Sequence, residues 1–130
     1  MDHAAGRILI VDDELSLLRM MRVYLERLGY AVTTAESNEQ AWSAWENAPS
    51  GFDVAVLDGS MPGLSMQDLA LKMLRASPVM CVLAASGYPA DISELEAAAP
   101  GRVGFLHKPF TPGMLAAEVR RMLAAQEEDL

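Results

Sequence analysis

Residues 54–63 read VAVLDGSMPG, an apolar run that stops at one acid, Asp58, and continues through small residues to a proline. Val54 to Leu57 show no polar alternation, which suits a strand buried on both faces rather than one half in water. A carboxylate at the end of such a strand is costly to bury unless other charges gather around it. Taken alone, Asp58 before Gly59 is a turn former bonded to its own backbone. The rest of the chain decides whether it is more.

Working outward, the run FDVAVL (52–57) is one of five, with RILIV (7–11), YAVTTA (30–35), VMCVLAA (79–85) and RVGFL (102–106). YAVTTA, with two threonines, reads as an edge strand. Helical patterns lie between the runs. ELSLLRMMRVYLERLG places Leu18, Met21, Leu25 and Leu28 on one face and ends at Gly29. SNEQAWSAWENA opens with Ser37 as cap and packs Ala41 and Trp45 inward, with Trp42 at the margin. A third helix spans Ser65 to Ala76 and stops before Ser77-Pro78. Pro89 to Ala99 forms a weak, alanine-rich helix. The last begins with Thr111 as cap and Pro112 at its first position, and turns Leu115, Val119, Met122 and Leu123 inward. Three acids in the closing EEDL oppose the helix dipole, so fraying is expected over 126–130.

Five alternating strand–helix units with right-handed crossovers make an α/β fold, a doubly wound open parallel sheet. A chain of 130 residues fits one domain, 1–130, with a core of about 7–125. Apolar residues make up 52% of it, which excludes a disordered chain, and the net charge of −8 argues against nucleic-acid binding. Cys81, the single cysteine, has no internal disulfide partner and reads as a small buried hydrophobe. No apolar run approaches membrane-spanning length, and MDHAAGRILIV, a very short apolar run with acids on both sides, does not read as a signal peptide, so a cytoplasmic protein without membrane insertion is expected.

In a doubly wound sheet, ligands bind outside the carboxyl ends of the strands. Those ends carry Asp12-Asp13-Glu14, Asp58, Ser86 and Lys108-Pro109. Each has a bland reading: helix capping for the acids, turn chemistry for Ser86, a solvated surface position for Lys108. All falling at one end of one sheet is far less expected by chance. Clustered carboxylates repel one another unless a cation neutralises them, and hard oxygen ligands favour Mg²⁺, with Mn²⁺ as substitute.

The motifs ILIVDDE (8–14), VLDGSMPG (56–63), ASGYP (85–89) and FLHKPFTP (105–112) together resemble the receiver domain of two-component response regulators, over Arg7 to about Ala125. The resemblance implies a flavodoxin-like strand order of 2-1-3-4-5 and a signalling switch rather than an enzyme. It implies Asp58 as phosphoacceptor in a phosphorelay, taking a phosphoryl group from a sensor histidine kinase or histidine phosphotransfer protein. Mg²⁺ would be held by Asp13 directly, by Asp12 through water, by Asp58 and by the Ser60 backbone carbonyl. Ser86 and Lys108 would bind the phosphoryl group, and Phe105 would be the aromatic that turns inward on modification. Ser60 and Tyr88 would modulate phosphoryl lifetime, and the Lys108–Pro109 bond would be cis. The face of the fourth helix, fifth strand and fifth helix would meet a downstream protein, the receiver being a monomer or a phosphorylation-dependent dimer. The SGYP wording resembles receivers attached to hybrid sensor kinases. Two departures from the family stand out: Met66, near the place of a loop glycine, and the small, flexible Gly59. Alternatives are a non-phosphorylated pseudo-receiver serving as an interaction module, or a small Mg²⁺-dependent aspartyl-phosphate hydrolase. The hydrolase would need a second acid where Ser60 stands.

Overall fold

A computed structural model describes residues 6–48, 51–59, 63, 65–87 and 91–128. Ser60 and Tyr88 lie outside them. Five strands, β1 (Arg7–Val11), β2 (Ala31–Ala35), β3 (Val54–Asp58), β4 (Cys81–Ser86) and β5 (Val103–His107), alternate with five helices. The helices are α1 (Leu15–Arg27), α2 (Asn38–Glu46), α3 (Met66–Ala76), α4 (Ser93–Ala98) and α5 (Pro112–Glu128). All strand pairs are parallel, in the order β2-β1-β3-β4-β5. The chain therefore reverses its direction of travel across the sheet between β1 and β3, and their carboxyl ends frame the switch point.

The period of two along each strand divides the core into two layers. Ile8, Ile10, Val54, Val56, Cys81 and Leu83 meet α1 and α5, while Leu9, Val11, Ala55, Leu57 and Val82 meet α2, α3 and α4. β3 and β4 are buried at every residue, as their unbroken apolar runs require. YAVTTA is an edge strand as expected, and β5 forms the other edge, with Val103 and Phe105 only half-buried. Cys81 is fully buried, and burial pushes its thiol pKa up.

The helix punctuation follows local chemistry. Ser37 and Ser65 accept hydrogen bonds from the amides of Gln40 and Asp68, each at 3.0 Å, and Thr111 accepts one from Met114 at 3.1 Å. Gly29 takes φ +100°, its amide donates to Glu26 and the Tyr30 amide to Leu25, closing a Schellman motif. That reversal corrects one expectation: Leu28 is the C-cap, turned outward and 43% exposed. Trp45 is only half-buried, because it stacks on Trp42 at 5.1 Å on the flank of α2, with Lys72 4.5 Å above the Trp42 ring. Of the helix expected over Pro89–Ala99, residues 89–90 lie outside the described residues; α4 starts after an Asp91 turn that accepts the Ser93 amide, and it buries Leu95. α5 runs to Glu128, past the expected limit near Ala125, and Gln126 Nε2 donates to Cys81 Sγ at 3.2 Å.

The candidate phosphoacceptor site

Each acid reaches the site because its strand ends there. β1 pairs with β3 from Ile8↔Val54 to Val11↔Leu57, so Asp12 emerges beside Asp58. β3 pairs with β4 up to Asp58↔Ala85, and β4 with β5 up to Ser86↔His107, which brings Ser86 and then Lys108 to the same end. The Lys108 amide donates to the Ser86 carbonyl at 2.8 Å, carrying the pairing one residue past β5. The Lys108–Pro109 bond is cis, as the resemblance implied.

Carboxylate oxygens of Asp12, Asp13 and Asp58 lie within 4.8 Å of one another. Asp12 and Asp58 are 3% and 2% exposed, whereas Asp13 faces solvent. Lys108 Nζ donates to Asp12 Oδ2 at 3.0 Å and to Asp58 Oδ2 at 3.1 Å. Burial pulls the Lys108 pKa down, but its hydrogen bonds to Asp12 and Asp58 outweigh this, and the net shift is upward. Asp12 does not cap α1, whose N-cap Glu14 makes no side-chain capping bond; its Oδ1 instead accepts the Glu14 amide at 2.9 Å in a turn just ahead of the helix. Both Asp12 oxygens are thus engaged, while Asp13 is the exposed acid of the three.

Ser86 is buried at the end of β4. Phe105 sits farther off, paired with Ala84 on the edge strand, half-buried and edge-on to His107 with ring centroids 6.2 Å apart. The structure therefore brings Asp12, Asp13, Asp58 and Lys108 into one cluster, with Ser86 at its border and Phe105 outside it. Gly59 is better fixed than its lack of a side chain suggested: its amide donates to Ala85 at 2.8 Å and its φ is not positive. A Cβ there would meet Ser86 Cβ at 3.5 Å and the Met66 methyl at 3.6 Å, so Met66 packs beside the end of β3 from the first turn of α3. A cleft of about 470 Å³ opens beside the cluster, lined by Glu14, Leu17, Gly87, Lys108, Pro109 and Phe110. Leu17 and Phe110 were not singled out from sequence. The signal for Phe110 was its place directly after Lys108-Pro109, which also line the cleft.

The donor set fits a hard divalent cation: three carboxylates converge, and one of them is open to solvent. The site is thus a buried aspartate at the switch point, hydrogen-bonded to a lysine and flanked by two further acids, on a doubly wound parallel sheet. The chain belongs to the response regulator receiver domain family, whose model matches residues 8–120. It is 32% identical over 120 residues to the transcriptional regulatory protein ResD of Bacillus subtilis, covering 90% of this chain and 48% of that protein. It is also 32% identical over 124 residues to the sensor kinase CckA of Brucella abortus, covering 95% of this chain and 13% of that one. A CheY-like receiver domain protein from Methanospirillum hungatei superposes with a TM-score of 0.83 at 28% identity, covering 95% of this chain and 98% of that one. The chain spans about half the length of the first of these curated relatives and far less of the second. Receiver domains are signalling switches rather than conventional enzymes. No helix among the described residues is long and apolar enough to cross a membrane.

Proposed function

We propose that this chain accepts a phosphoryl group on Asp58 from the phosphohistidine of a sensor kinase or phosphotransfer protein. The observation that carries this reading is the Asp58 carboxylate, 2% exposed yet hydrogen-bonded to Lys108 and crowded by Asp12 and Asp13. Such an arrangement is electrostatically uncomfortable, and it suits a group made to receive something rather than merely to pack.

In the transfer, an Asp58 oxygen attacks phosphorus as the phosphohistidine N–P bond breaks. The imidazole leaves with the bonding electron pair, and an acyl phosphate forms. Lys108, already 3.1 Å from Asp58 Oδ2, is placed to follow the charge onto a phosphoryl oxygen. Asp12, Asp13, Asp58 and the Ser60 backbone carbonyl would hold Mg²⁺, Asp13 as the more direct ligand and Asp12 through water. The bound ion would supply positive charge where negative charge develops. Engagement of both Asp12 oxygens by protein donors supports that division of labour. Ser86 would hydrogen-bond the phosphoryl group and Phe105 would turn inward behind it, altering the α4–β5–α5 face read by a downstream protein. Tyr88 and Ser60 would set the lifetime of the acyl phosphate.

The experiment is incubation with Mg²⁺ and acetyl phosphate, read by whole-protein mass. A gain of one phosphoryl group, absent in Asp58→Asn, is the expected result. No adduct on any residue would favour the pseudo-receiver, and continuous release of phosphate would favour the hydrolase.

A further inference from the structure

Period two along β5 places Val103, Phe105 and His107 on one face of an edge strand. Val103 packs against the core, whereas Phe105, half-buried, belongs to neither core layer among the described residues. Its ring meets an exposed imidazole instead. Phe105 and His107 stand edge-on, with centroids 6.2 Å apart and planes at 80°. At that separation and angle the electropositive edge of one ring is drawn to the face of the other.

An exposed histidine ordinarily samples several orientations, but His107 is anchored. Its Nδ1 lies 2.6 Å from the Lys108 carbonyl, which only accepts, so Nδ1 carries the proton and donates it there. The bland reading is two neighbours on an edge strand covering each other's apolar surface. The anchor sets this pair apart, because Lys108 also reaches the acidic cluster. Its amide donates to the Ser86 carbonyl at 2.8 Å, and its ammonium bridges Asp12 and Asp58 at 3.0 and 3.1 Å. Asp58, Lys108, His107 and Phe105 therefore form one unbroken series of contacts, and the strand register sets His107 opposite Ser86. Continuity in space does not by itself make coupling; that takes an element with two positions which both ends bias.

We propose that His107 is the positioning residue of such an element, holding the Phe105 ring in its half-buried orientation and, through Lys108, tying that orientation to unmodified Asp58. The assignment rests on the reading of Asp58 and Phe105 given under the proposed function, and it adds a residue that no motif supplied. Removing the imidazole releases the ring to turn inward. Coupling is reciprocal, so whatever favours the inward ring favours a phosphoryl group at Asp58 by the same factor.

The test uses ¹³C-phenylalanine-labelled protein, in which only three rings contribute signals, and beryllofluoride, which mimics a phosphoryl group on a carboxylate at equilibrium. In His107→Ala the Phe105 ring should shift and its nuclear Overhauser contacts to Ser86 strengthen, with no phosphoryl mimic present. Beryllofluoride affinity in Mg²⁺ should rise about two- to tenfold, the population shift expected on losing an edge-on ring pair. His107→Phe, which keeps a ring, should hold both readouts near the parent values. Each variant should melt within about 2 °C of the parent in EDTA, since the position is exposed. A purely structural role would instead move the melting temperature and neither of the other readouts. Phe105 signals in His107→Ala that stay where the parent has them, or an affinity that fails to rise, would overturn the proposal. A parent that binds beryllofluoride no better than Asp58→Asn would overturn the reading of Asp58 instead, and the ring signals of unliganded His107→Ala would still decide the role of His107.

Discussion

Replacing Lys108 by methionine keeps an aliphatic stem and deletes the positive charge that Asp12 and Asp58 share at 3.0 and 3.1 Å. At an effective dielectric of about 20, each contact is worth roughly 5 kcal/mol of attraction. On the same scale the remaining carboxylates, with oxygens within 4.8 Å, repel by roughly 3 kcal/mol. Desolvation of the ammonium offsets much of the attraction, and breaking a buried pair costs about 3–5 kcal/mol overall. The Lys108 side chain is 23% exposed, which trims the expected loss to about 2–4 kcal/mol. At about 4 °C per kcal/mol for a domain of this size, Tm should fall by about 8–16 °C. Calorimetry in EDTA is the assay, with Asp58→Asn tested alone and in combination. Removing the Asp58 charge should restore much of the stability lost in Lys108→Met, since only one carboxylate then lacks a cation. The Lys108 pKa is raised on folding, so its contribution is complete below its ordinary value of 10.5 and disappears as pH climbs through the elevated one. The gap between parent and variant should therefore close only in strong alkali. A Lys108→Met protein as stable as the parent in EDTA, or no recovery in the double variant, would refute the reasoning.

Other consequences follow from particular contacts. Arg102 donates to the carbonyls of Ser77, Met80 and Leu74 at 2.6, 3.0 and 3.1 Å, holding the end of α3 to the start of β5. Arg102→Ala should lose about 2–4 kcal/mol in urea unfolding and Arg102→Lys recover only part of it, because an ammonium cannot span three acceptors. Gly63 has φ +90° and Gly59 does not, so Gly63→Ala should cost about 1–2 kcal/mol while Gly59→Ala stays within about 0.5 kcal/mol by the same measurement. Cys81 is buried with its thiol pKa raised. It should resist alkylation at pH 8 in the native protein and react fully once unfolded.

Why the fold was legible is clear from β3 and β4: strands covered on both faces have no polar alternation, and four of the five runs show this pattern. The cluster was legible because strand ends in a parallel sheet must converge, so Asp12, Asp58 and Lys108 could be brought together without coordinates. Helix α1 resisted the same treatment. Its apolar residues lie all round, so periodicity could not say that Leu28 would face solvent or that Met20 and Val23 would form a second stripe. Trp45 was misjudged in depth because spacing shows which side a residue takes, not how far the neighbouring helix covers it. Arg102 left no pattern at all, since its partners are backbone carbonyls that any sequence supplies.

The claim that matters most is where a phosphoryl group would attach. After acetyl phosphate treatment with Mg²⁺, borohydride reduction converts an acyl-phosphorylated aspartate to homoserine, which peptide mass spectrometry locates. Conversion at Asp58, lost on chelation of Mg²⁺, is the expected result. Conversion at Asp12 or Asp13 with Asp58 intact would contradict it.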